Sequence, residues 1–112
     1  MNIAIHHPDV FGIVLSLGGY YHAEGSIWGN SAAYIRLNSP ADVLPGDKQA
    51  WKLHMFIGAA TKDQPYYTYS IQFLQELKRL RVPYQLDNQA GYHSWRVWQV
   101  QLYDALLWLR WG

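Results

Sequence analysis

The chain has 112 residues, a formal net charge of +1 and no cysteine. That length suits one domain with a modest core. The missing cysteines exclude a disulfide framework, a thiolate nucleophile and a Cys-based zinc site. The near-neutral charge, with no basic cluster, gives no electrostatic case for nucleic acid or an anionic membrane surface. Half of the residues are hydrophobic, 50%, with six Trp and nine Tyr. This is the composition of a globular chain with more aromatic side chains than a small core can hold, so some should line a cleft or an interface. No apolar run approaches membrane-spanning length. No basic segment followed by an apolar one marks a signal peptide, and the compartment cannot be read.

In chain order, Met1–His7 reads as the last turns of a helix stopped by Pro8. Phe11–Leu17 is a nearly continuous apolar run ended by Gly18-Gly19, the pattern of a strand buried on both faces of a parallel sheet. Tyr20 to Lys52 is a long connection rich in Gly, Ser, Asn and Pro. It holds a short helix near Ser31–Leu37 and a turn near Pro40–Val43, and its length favours a functional loop. Lys52–Gly58 is a second strand. From Pro65 to Arg81, Tyr66, Tyr69/Ser70, Phe73/Leu74, Leu77 and Leu80 recur at helical steps, which predicts an amphipathic helix lying on a sheet. Val82–Leu86 is a third strand, and Pro83 near its start suggests an edge. Trp95 to Trp111 predicts a last helix with Trp98, Leu102, Ala105/Leu106 and Leu109 as its buried stripe.

Strands alternating with helices imply an α/β fold of about three parallel strands joined by right-handed crossovers. In such sheets the functional crevice lies beyond the carboxyl ends of the strands. Three segments follow those ends: Gly19-Tyr20-Tyr21-His22, Thr61-Lys62-Asp63 and Gly91-Tyr92-His93. An aromatic loop, an acid and a histidine therefore share one rim.

Asp bonded to one imidazole nitrogen fixes the tautomer, which frees the other nitrogen to take a proton from a hydroxyl nucleophile. Asp63 and His93 have the chain order of the last two members of a Ser…Asp…His triad. Taken singly, Asp63 reads first as a capping or turn residue ahead of the next helix, and His93 as a loop histidine; their coincidence on one rim favours the pair. Tyr20, Tyr21 and Trp28 either line a substrate pocket or pack the long loop. His22 either touches substrate or is solvated. His6 and His7 point about 100° apart on a helix and cannot chelate one ion. His54 reads as a structural strand residue. No metal site or organic cofactor is implied.

Beyond these readings, Ala4-Ile5-His6-His7-Pro8-Asp9-Val10-Phe11 and Ser16-Leu17-Gly18-Gly19 resemble the segment after the nucleophile elbow in the α/β-hydrolase superfamily. The branch is that of esterase D and the feruloyl-esterase-like proteins. Phe56–Asp63 looks like the strand and loop that carry the family's triad acid. Gly91-Tyr92-His93-Ser94-Trp95-Arg96-Val97-Trp98 resembles its Gly-x-His-x-Trp-x-x-Trp element, in which the histidine is the triad base. The resemblance covers essentially the whole chain, residues 1–112, and implies a serine carboxylic-ester hydrolase acting on a small-molecule ester. Asp63 would orient His93, and His93 would act as general base and then general acid.

The serine is the departure. No Gly-x-Ser-x-Gly pentapeptide occurs; Gly29-Asn30-Ser31-Ala32-Ala33 comes near but follows no strand, and an elbow needs a strand-to-helix turn. The expectation is the C-terminal half of a hydrolase domain, inactive or nearly so as an isolated chain, whose first strand exposes a face and an edge. The alternative is a non-catalytic, aromatic-rich binding or interaction module derived from a hydrolase. Asp63 and His93 within hydrogen-bond reach favour the first reading; a flat exposed stripe of Trp and Tyr favours the second.

Overall fold

The computed structural model describes residues 1–110. Three parallel strands, β1 (Ile13–Leu17), β2 (His54–Ala60) and β3 (Tyr84–Gln89), lie in the order β1-β2-β3. Ile13 pairs with His54 and Leu17 with Gly58, while Met55 pairs with Tyr84 and Ala60 with Gln89. The expected fold class is therefore the observed one. All three carboxyl ends fall on one rim, and β3 lies at an edge of the sheet.

Residues alternate between the two faces of the sheet. Val14, Met55 and Ile57 face helix α5 (Tyr66–Leu80), whose Phe73, Leu74 and Leu77 are buried against them. Ala4 and Ile5 of α1 (Asn2–His6) close the same core, together with Leu44, Ala50 and Leu53 from the long connection. The opposite face carries Leu15, Leu17, Phe56 and Gly58 and is covered by α6 (Trp95–Trp108). One helix does not span that face. Ile13 stays 43% exposed, and Leu15 and Leu17 are only half-buried. The expectation that β1 is buried on both faces is thus corrected, because a buried apolar strand and a half-covered edge strand have the same composition.

Element boundaries shift for local reasons. A tight turn over Ala50–Lys52 moves the start of β2 to His54, and small Ala59 and Ala60 extend it. Helix α5 ends with Arg81 in the left-handed region at φ 59°. The Val82 N–H donates back to the Leu77 carbonyl, 2.9 Å, in the manner of a Schellman closure. Val82 is thereby core instead of strand, and β3 begins at Tyr84.

The long connection folds into short helices α2 (Gly25–Trp28), α3 (Ala32–Leu37) and α4 (Pro40–Val43). Buried Ser39 anchors it: its hydroxyl accepts from the Ala23 N–H at 2.8 Å and donates to the Ile35 carbonyl at 2.7 Å. Ser31 is the N-cap of α3, its hydroxyl accepting from the Tyr34 N–H at 3.3 Å.

The stripe of α6 is also corrected. The fully buried positions are Val97, Gln101 and Ala105, while Trp98, Leu102 and Leu109 are half-buried and Leu106 is 37% exposed. Trp111, the expected end of this helix, lies outside the described residues. Gln101 can be buried because its Nε2 donates to the carbonyls of Ala59, 2.9 Å, and Asp87, 3.3 Å. A polar residue that reads as surface therefore seats α6 on the sheet, and Gly58 leaves room for it. A methyl at Gly58 would lie 2.6 Å from Gln101 Oε1. No described helix is long and apolar enough to cross a membrane.

Asp87 gives a pH-dependent prediction. Desolvation, and beyond it the neighbouring Asp104 carboxyl, raise its acid range, against the pull of the Gln89 amide hydrogen bond. Among the described residues its buried Oδ2 has no hydrogen-bond partner. A raised acid binds its proton more tightly in the native state, so stability falls as pH rises from the ordinary aspartate range through the raised one. Asp87→Asn is accordingly expected to raise the melting temperature at neutral pH, with the gain disappearing below the ordinary aspartate range. Thermal denaturation followed between pH 3 and 7 checks this, and an equal shift at both ends would contradict it.

Candidate active site

The two loops after β2 and β3 are tied together before any side chain is considered. The parallel ladder continues past the strands: the Thr61 N–H donates to the Gln89 carbonyl at 3.0 Å and the Lys62 N–H to the Gly91 carbonyl at 2.8 Å. Asp63 then turns inward, its N–H closing on the Ala60 carbonyl at 3.0 Å. Gly91, at φ 151°, takes a conformation that non-glycine residues rarely adopt, and a methyl there would meet Val97 of α6 at 2.6 Å. This turn delivers His93 opposite Asp63.

His93 Nδ1 lies 2.8 Å from Asp63 Oδ2. Asp63 is buried at 4% exposure, whereas the His93 side chain is 45% exposed. A carboxylate only accepts, so Nδ1 carries the proton and neutral His93 presents Nε2 as a lone-pair acceptor. Among the described residues Nε2 has no hydrogen-bond partner. Asp63 is not the side-chain cap of α5, whose N-cap is Pro65; its carbonyl accepts from the Tyr67 N–H at 2.6 Å.

Two aromatic rings fix the imidazole plane. Tyr66 stacks on it with centroids 4.9 Å apart and planes at 30°, and Trp98 meets it at 4.7 Å and 89°. Such pairs contribute about 0.5–1.5 kcal/mol each beyond buried area. Gly18, at the end of β1 with φ 58°, makes space for the indole: a methyl there would lie 2.6 Å from Trp98 Nε1 and 3.4 Å from His93 Nδ1. Sequence reading assigned Tyr66 and Trp98 to packing stripes and gave Gly18 only a strand-ending role. The five-residue step from His93 to Trp98 within one aromatic motif was the available signal.

His93 opens onto a cavity of about 260 Å³. Tyr20, His22 and Trp28 line it, as do Glu24 and Ile27, which drew no attention in the sequence. Tyr20 and Trp28 are inclined at 46°, 6.4 Å apart. His22 sits edge-on to Tyr69 at 5.3 Å. Tyr21 does not line the cavity, which corrects its grouping with Tyr20. Its ring is fully buried and stacked on Phe73 at 4.3 Å, its hydroxyl 3.0 Å from Ser16 Oγ. Burial pushes its phenol up to about 12, against the pull of its hydroxyl partners. β1 ends at Leu17, and the bend that begins at Gly18, φ 58°, turns Tyr21 into the core and leaves Tyr20 in the cavity wall.

A wider cleft of about 540 Å³ opens at the amino ends of the strands, lined in part by Asp9, Phe11, Lys52 and His54. It contains neither Asp63 nor His93. His54, exposed at the first position of β2, belongs to that surface and not to the strand interior. Among the described residues no three His, Asp or Glu side chains gather as a metal site.

A family model described as "Putative esterase" matches residues 1–109. The chain belongs to this esterase family. No curated protein matches it. Solved structures do match the esterase chain, and they establish its likeness to α/β-hydrolase folds. A fluorophosphonate-binding serine hydrolase F from Staphylococcus aureus, solved with substrate bound, superimposes with a TM-score of 0.79 at 21% identity. That match covers 99% of this chain and 49% of the other. A ferulic acid esterase gives 0.74 at 23% identity, covering 94% and 43% of the two chains. An S-formylglutathione hydrolase from S. aureus gives 0.75 at 19%, covering 96% and 48%. The esterase chain thus spans somewhat less than half the length of each of these structures.

Proposed function

We propose that this chain carries the acid and base of a serine carboxylic-ester hydrolase, with Asp63 orienting His93 and the nucleophilic serine supplied from outside these residues. The observation that carries the reading is the 2.8 Å bond from buried Asp63 to His93 Nδ1 at the carboxyl ends of parallel strands. In the forward step Nε2 takes the proton of the attacking hydroxyl as its oxygen bonds to the ester carbonyl carbon. The imidazolium, stabilised by Asp63, returns that proton to the departing alkoxide. Water repeats the sequence to release the acid. Membership of the esterase family makes a small-molecule ester the substrate class. The cavity beside Nε2 is where its acyl or alcohol group would lie. A histidine that lines a concave pocket and is bonded to a buried acid supports a hydrolase over an interaction module, whose mark would be a flat aromatic stripe.

Ser31 caps α3 and Ser16 is buried against Tyr21, so neither supports a role as nucleophile. The 112-residue chain is therefore expected to resist labelling by a fluorophosphonate probe and to leave p-nitrophenyl acetate unhydrolysed above the His93→Ala background. Labelling of a serine in this chain that disappears in His93→Ala would overturn the proposal by placing the nucleophile within it. Coding DNA upstream of Met1 that reads in frame through a Gly-x-Ser-x-Gly would add support.

A further inference from the structure

The cavity beside His93 has a charge character that the proposed reaction does not require. Its walls are apolar and aromatic, from Tyr20, Ile27, Trp28 and Tyr66, yet Glu24 stands in its lining and no lysine or arginine does. Glu24 is exposed and holds the start of α2 through its backbone alone: its carbonyl accepts from the N–H groups of Ile27, 3.1 Å, and Trp28, 2.9 Å. Its side chain makes no capping bond, and among the described residues its carboxylate has no ion-pair or hydrogen-bond partner. Lys62, in the loop after β2, is engaged elsewhere, its Nζ 5.5 Å over the Tyr92 ring.

We infer that Glu24 is a specificity residue, and that the cavity takes one small, flat apolar group that is neutral or cationic while excluding groups that carry a carboxylate or phosphate. This rests on the hydrolase reading and names the substrate class for that site. The volume of about 260 Å³ lies below the range usual for drug-sized ligands, which limits the group to about a single ring. A carboxylate a few ångströms from a bound charge, in a setting between water and protein interior, changes affinity roughly tenfold for each sign. The effect weakens as salt shortens the screening length.

Binding to the whole 112-residue chain tests this without turnover. Benzylamine, benzyl alcohol and benzoate are titrated at pH 8 and low ionic strength, followed through the Trp28 indole and His93 ring resonances. Benzylamine is expected to bind roughly tenfold tighter than benzyl alcohol, and benzoate roughly tenfold more weakly. Glu24→Gln should bring the three within about twofold, as should raising the salt to 1 M. Glu24→Gln preserves the backbone bonds that start α2, so wild-type melting behaviour is expected. Equal affinities in the wild type, a preference that survives Glu24→Gln, or no perturbation by any ring would each overturn the inference. The hydrolase reading fails separately, on the fluorophosphonate result.

Discussion

Replacing Asp63 with asparagine is expected to lower kcat about ten-thousand-fold in any polypeptide that unites this chain with a Gly-x-Ser-x-Gly elbow. The reason lies in the proton inventory of one 2.8 Å bond. Wild-type Asp63 can only accept, so it holds the proton on Nδ1 and leaves Nε2 free. An asparagine can turn its NH₂ toward Nδ1, which then becomes the acceptor and moves the proton to Nε2. The base is lost although the ring has not moved. On the 112-residue chain the same event is visible without catalysis. A downfield imidazole N–H proton, shielded from exchange by the buried carboxylate, should be present in the wild type and missing in Asp63→Asn. A kcat within tenfold of wild type, together with an unchanged N–H resonance, would show that Asp63 does not orient His93.

Gly18→Ala is expected to lower the melting temperature by roughly 10–40 °C and to displace His93. Two costs add. A non-glycine residue at φ 58° costs about 1–2 kcal/mol. A methyl 2.6 Å from Trp98 Nε1 forces overpacking, at about 1–3 kcal/mol. Each kcal/mol corresponds to about 4–8 °C for a domain near this size. The indole cannot bend away as a flexible chain would, and it is one of the two rings that hold the His93 plane. Stability and site geometry should therefore fail together, read by circular dichroism and by the His93 ring shifts. Gly12→Ala is the matched control, because a methyl there meets nothing within 4 Å. It should change stability by no more than about 0.5 kcal/mol. A Gly18→Ala chain that melts like the Gly12→Ala control would remove the basis for the clamp.

The clamp has a consequence for how the site tolerates exposure. His93 is close to half exposed, and a lone hydrogen bond to Asp63 would let the ring pivot about that contact. Tyr66 from α5 and Trp98 from α6 restrict the pivot from two directions. His93 therefore rests on both helices that cover the sheet, one from each face. Interactions that hold a reacting group in one orientation are the ones that lower a barrier most efficiently.

The amino-acid order by itself determined the alternation of strands and helices, and so the parallel sheet. It also determined which loops share the carboxyl rim, because strand direction alone decides that. The Gly91–Trp98 segment, by its resemblance to a family element, pointed to His93 among five histidines. What it could not determine was anything that depends on distances between residues far apart in the chain. Asp63 and His93 are separated by 30 positions, and only the continued β2–β3 ladder sets them within bonding reach. Tyr20 and Tyr21 are chemically identical neighbours, and the bend after β1 alone decides which one lines the cavity. Gln101 reads as solvent-facing until two carbonyls that accept from its amide, at Ala59 and Asp87, are found beneath it. Glu24 is an ordinary acid until the fold places it in the lining of an aromatic cavity. Local pattern encodes which face of an element is apolar; which polar atoms meet across that face is decided by packing, because hydrogen bonds depend on separations of tenths of an ångström that no spacing in the sequence specifies.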